Sequence, residues 1–263
     1  MTHGGQGREA SDRGRRRIYC ERMPIEEVAE ARVLDLLRGF DLELVMAVRP
    51  GEGPALARLI ERASSAGVRV AIWPMVADRE GRWASAENAA RFCAFAEDLV
   101  DMLDARGLTP AEVLVDLEPP FAEVRAILDS PGEVAASRET SAAPLAKGPR
   151  ALGALHLLRR SLRSIEPAAQ IFARFAQAQK ARGIEISSAV VPLVLLDPEP
   201  RDSSPGGVAD PSALYQALLG TPADGRLWGS VSAMLYTSMI AGFSRGLLRR
   251  ADVLALLAMG ARA

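Results

Sequence analysis

Short apolar runs alternate with amphipathic runs along the chain, and the alternation recurs six times. The apolar runs are strand-sized: Ile18 to Met23, Leu42 to Val48, Val68 to Met75, Val113 to Leu117, a stretch within Ile184 to Leu196, and Val231 to Tyr236. The runs between them carry apolar residues at helical spacing, most clearly Phe92, Phe95, Ala96, Leu99, Met102 and Leu103. Repeated strand–helix units fold as a parallel sheet, because parallel neighbours need a long crossover between them. The apolar runs lack strict alternation with polar residues, as expected of strands covered on both faces.

Local punctuation supports these elements. Pro54 opens a helix that runs to Ala66 and stops at Gly67. Ser85 is placed to cap a helix from Ala86 to Arg106, which Gly107 ends. Further helices are expected at Ile25 to Gly39, Phe121 to Leu128, Ala151 to Ile165, Ala168 to Arg182, Ser212 to Leu219 and Phe243 to Met259. Pro167 divides Ala151 to Ile165 from Ala168 to Arg182. Pro192 is awkward in a central ladder, which assigns the fifth strand to the second half of its stretch.

The first strand is followed by Glu21-Arg22-Met23-Pro24, without a glycine-rich turn. That argues against a dinucleotide-binding doubly wound sheet. No Walker-type loop and no G-x-S-x-G elbow occurs. The expected fold is α/β, a TIM-type (β/α) barrel with about six of its eight strands visible. Either two strands are unrecognised, or the chain is shortened relative to a full barrel, or the sheet is open. An open sheet would leave apolar edges that an oligomeric partner could cover. Residues 1–16 read as a disordered tail and 17–263 as a single barrel-like domain.

The formal net charge of −1 argues against nucleic acid or an anionic membrane surface as a partner. No run reaches transmembrane length, and the N-terminus lacks the apolar core of a secretory signal, so a soluble cytoplasmic protein is expected. Cys20 and Cys93 lack metal-ligand spacing and read as buried free thiols. With only His3 and His156 besides, a Cys/His metal site is not expected, nor is a cofactor. The expected ligand is a small molecule or a carbohydrate.

Ligands of parallel α/β folds bind at the carboxyl ends of the strands. Asp116 and Glu118 stand at such an end, two residues apart, so both side chains face one way while Val115 and Leu117 face the helices. Two carboxylates so placed repel, and one pKa rises. A raised Glu is suited to general acid work near neutral pH. The structural alternative is pairing with Arg22 or Arg49. Glu21, Arg49, Trp73, Asp197 and Tyr236 stand at other strand ends and are the candidate substrate contacts. Glu21, Asp116, Glu118 and Asp197 could alternatively converge on Mg²⁺ or Mn²⁺, as in a sugar isomerase or lyase. Trp228, at the amino end of the sixth strand, reads as core, and His156 as a structural helix residue.

Val113-Leu114-Val115-Asp116-Leu117-Glu118 resembles the fourth-strand end of the chitinase-like family-eighteen glycoside hydrolases, and Met234-Leu235-Tyr236 resembles the M-x-Y of their sixth strand. The resemblance implies Glu118 as acid, Asp116 as the group that orients a substrate acetamido nucleophile, and Tyr236 as a contact to it. The chain departs from the family at Leu114, Pro119 and Thr237, and in Ala71-Ile72-Trp73-Pro74. What it implies is therefore a sugar-active barrel, or a relative that binds without catalysis, rather than chitin cleavage.

Overall fold

Six parallel strands lie in the sheet in the order in which they occur in the chain. They are β1 (Arg17–Cys20), β2 (Glu43–Val48), β3 (Val70–Pro74), β4 (Glu112–Leu117), β5 (Glu185–Val190) and β6 (Ser230–Ala233). The computed structural model describes residues 16–119, 149–191, 194, 216, 219–222 and 227–234, with side chains of the last long helix described from residue 164. Right-handed crossovers between strands in sequential order all pass over the same sheet face. The sheet curls into a half-barrel with its helices outside.

The helices are α1 (Ile25–Val28), α2 (Ala31–Gly39), α3 (Gly53–Ser65), α4 (Ala89–Asp104) and α5 (Pro149–Ala181). Strand parity separates two apolar layers. Leu44, Met46, Val48, Ile72, Val113, Val115, Leu117 and Ile186 face the helices and join one large core with Leu56, Leu59, Phe92, Leu103 and Phe172. Val45, Ala47, Ala71, Trp73, Met75, Leu114 and Ala189 form a smaller cluster on the concave face. Trp228 is buried against Phe172, with ring centroids 5.7 Å apart, as expected of a core residue.

Several local expectations are corrected. The stretch from Ile25 to Gly39 forms two helices, α1 and α2, with Ala29 and Glu30 between them. Pro167 does not divide a helix pair: α5 runs through it. The proline is exposed, while Ile165, Ala168, Phe172, Phe175 and Ala176 continue one buried stripe on both sides of it. The lost backbone bond therefore falls at the surface and the packed face is kept. β5 is the first half of its stretch, because all six of its residues pair with β4 before Pro192 is reached. Ser85 does not cap α4; Asn88 occupies the N-cap position. Cys93 is buried but Cys20 is only half-buried, and both are free. The expected helices 121–128 and 243–259, with His156, lie outside the described residues or side chains.

Among the described residues β1 and β6 are the sheet edges. The exposed large apolar side chains there, Ile18, Tyr19, Met23, Leu36 and Phe40, belong to β1 or the segments that follow it. No helix of the described residues is long and apolar enough to cross a membrane.

The amino ends of the strands are tied by charge. Arg17 Nε donates to Glu43 at 3.1 Å, and both Arg17 and the Ser187 hydroxyl donate to Glu112. Arg69 continues the network to Glu43 at 2.7 Å and to Glu185 at 3.5 Å. Glu112 is only 3% exposed and Arg17 and Glu43 are largely buried beside it, while Arg69 and Glu185 form the half-exposed end of the network.

Candidate active site at the carboxyl end of β4

β3 and β4 pair over only two residues, Ala71 with Glu112 and Ile72 with Val113. Beyond that point they diverge. The end of β3 stays with β2, where Met75 N–H donates to Val48 O at 2.8 Å. The loop after β3 takes its place beside β4: Ala84 N–H donates to Asp116 O at 2.9 Å, and Glu118 N–H donates to Ala84 O at 3.0 Å.

The loop is held by its own sequence. Gly81 adopts φ of 106°, a left-handed conformation that favours glycine, and an added Cβ would stand 2.6 Å from Asn88 Nδ2. The Asn88 carboxamide donates to Glu80 O at 2.9 Å and Trp83 O at 2.7 Å, and accepts from Ser85 N–H at 2.8 Å. Arg82 also has positive φ, at 60°. Its guanidinium grips Asp78 with two hydrogen bonds of 2.8 and 2.9 Å and lies 5.5 Å from the Trp83 ring centroid.

Asp116 is fully buried on the concave side, and among the described residues neither carboxyl oxygen has a hydrogen-bond partner. Trp73 is buried nearby, with its ring edge-on to Tyr19 at 6.0 Å. Its indole N–H favours the ionised form of Asp116, yet Nε1 also ends without a hydrogen bond of normal geometry. Burial above all, then the charge of Glu118, holds the Asp116 carboxyl well above the usual carboxylate range. Glu118 is raised to about 7, again chiefly by burial, with Glu21 adding to the rise and Arg82 opposing it. The expected rise of one carboxyl thus extends to both.

Of the candidate contacts, Glu21 and Trp73 join the pair. Glu21 acts on both carboxyls by charge, and Trp73 flanks Asp116. Arg49 serves Glu21 instead, at 3.8 Å from its carboxylate and 3.1 Å from its carbonyl oxygen. Among the described residues neither Arg22 nor Arg49 forms an ion pair with Asp116 or Glu118, so these two arginines do not provide the alternative structural pairing. Asp197 and Tyr236 lie outside the described residues. Among the described residues no three His, Cys, Asp or Glu side chains are grouped to hold a metal ion.

Nothing in the sequence singles out Arg82 among the arginines of the chain; only the path of the loop after β3 brings its charge to bear on Glu118. A cavity of about 210 Å³ opens on the concave face, lined by Tyr19, Trp73, Leu114, Ala189, Ser232 and Met234. Another of about 690 Å³ lies at the amino ends of the strands, among Arg17, Glu112, Glu185 and Ser187. Its carboxylates are already committed to the floor network. Compared with protein-family models and with curated proteins, the chain matches none.

Proposed function

We propose that the protein is a glycoside hydrolase-like (β/α) barrel in which Glu118 is the general acid and Asp116 assists it. The observation that carries this reading is Glu118 itself, at a strand's carboxyl end with its proton affinity raised to about pH 7. At neutral pH a substantial fraction of it retains the proton that a departing glycosidic oxygen requires. Asp116 presents two oxygens without a hydrogen-bond partner among the described residues, and burial and its neighbour raise its proton affinity. A substrate group that donates or accepts a hydrogen bond would satisfy it, as the acetamido group does in the family that the strand resembles. Trp73 and Tyr19 offer apolar ring surface beside the cavity, and Tyr236 is the contact implied on the sixth strand. Glu21 and Arg49 belong to the rim in this reading, and Asp197 stays a substrate contact proposed from the sequence.

Asp116 and Glu118 share one strand, which does not suit two carboxylates on opposite sides of a scissile bond. A nucleophile supplied by the substrate, with Asp116 orienting it, suits the pair better. The test is hydrolysis of a panel of 4-nitrophenyl glycosides that includes an N-acetylhexosaminide. Release of nitrophenol by the native protein and its loss in Glu118→Gln is the expected result. Turnover of no member of the panel, or turnover that survives the substitution, overturns the proposal.

A further inference from the structure

The geometry points to Arg82 as the positioning residue of this acid site, the fixed positive charge that favours the Glu118 carboxylate after its proton has left. The inference rests on the acid role proposed for Glu118. An acid that acts repeatedly must exist in two forms, and the charged form is the costly one in a buried place. Among the described residues, the groups that bear on Glu118 are Asp116 on its own strand, Glu21 beyond β1, and Arg82 in the loop after β3. Two of the three are acidic. Arg82 supplies the opposing charge, and Glu118 in turn favours its cationic form.

Three features fix where that charge sits. The two bonds to Asp78 use the Nε and one terminal nitrogen, which orients the guanidinium plane. The remaining terminal nitrogen stands 4.0 Å from the Glu21 carboxylate, on the side of the acidic group. Trp83 lies against the guanidinium, and the next residue, Ala84, is hydrogen-bonded to the Glu118 main chain. The left-handed backbone at Arg82 is a conformation that a residue other than glycine adopts at a cost, consistent with a side chain placed for a purpose.

The test reads the proton on Glu118 directly and needs no substrate. Protein labelled with ¹³C at the glutamate carboxyls is titrated by NMR, and the Glu118 resonance is assigned by its absence in Glu118→Gln. In Arg82→Gln the midpoint is expected to rise by about one pH unit, because the opposing charge that Arg82 supplies is gone. Arg82→Lys keeps the charge without the fork and is expected to restore part of the shift. Glu21→Gln is expected to move the midpoint the other way. Arg82→Asn suits the left-handed backbone and serves where Arg82→Gln does not fold. A midpoint unchanged in the folded neutral variants overturns the role. Failure of glycoside hydrolysis with the shift present would overturn the acid chemistry and leave the electrostatic assignment standing. Where hydrolysis is found, the alkaline limb of kcat/KM is expected to move upward with the same variants.

Discussion

The Ala84 amide donates to the carbonyl oxygen of Asp116 at 2.9 Å, so a loop segment pairs with the end of β4 where β3 has turned away. This exchange encloses Asp116 and Glu118 without a longer β3. It also makes the proton affinity of the pair depend on a loop that Asn88 holds together.

Replacing Asn88 with Ala leaves the carbonyls of Glu80 and Trp83 and the amide of Ser85 without their partner. A cost of about 1–3 kcal/mol is expected in urea unfolding. The loosened loop admits water to Glu118, so its titration midpoint should also fall toward the ordinary value. The expected stability loss in a folded variant with no movement of that midpoint would show that the loop does not enclose the site.

Glu118 binds its proton more tightly in the folded chain, near 7, than the ordinary value of 4.5. The folded state therefore holds more protons between those pH values, and stability falls as pH rises through them. The difference of about 2.5 units corresponds to roughly 3 kcal/mol as an upper bound, with Asp116 adding in the same direction. Urea unfolding at pH 5 and pH 8 should show the native protein weaker at pH 8, and Glu118→Gln or Asp116→Asn should flatten the difference. Stability that rises over this range would contradict the burial of both carboxyls.

At the opposite end of β4, Glu112 is buried under Arg17 and Ser187. Glu112→Ala leaves Arg17 its bond to Glu43 but takes the acceptor from the Ser187 hydroxyl and from the Arg17 terminal nitrogens, and is expected to cost about 1–3 kcal/mol. The titration of Glu118 should stay where it is, since the two carboxyls occupy opposite ends of the strand. A shift there would reveal coupling through the sheet.

Burial pushes the Cys93 thiol up to about 12, whereas Cys20 is half-buried. Iodoacetamide at pH 8 should alkylate Cys20 in the folded protein and reach Cys93 only after denaturation. Mass spectrometry of the peptides distinguishes the two. Early modification of Cys93 would indicate that α4 opens from the sheet under native conditions.

Much of this architecture is legible in local pattern. The strand–helix alternation calls for a parallel sheet, and the two-residue spacing of Asp116 and Glu118 sets their common face, because both follow from backbone periodicity. Proline was the less reliable guide. Pro167 reads as a break, but a stripe of buried residues from Ile165 to Ala176 outweighs one missing hydrogen bond at the surface.

The site's electrostatics belong to the tertiary structure. The sequence by itself determined that two carboxyls stand together at a strand end. Only the fold decided that β3 gives way to Ala84 there, that Glu21 and Arg82 become their charged neighbours, and that Arg22 does not pair with them. The reason is physical: parity along a strand is a property of a few consecutive residues, whereas the field at Glu118 is set by groups from three separate segments. Their distances depend on strand register and on the path of a loop fixed by Gly81 and Asn88.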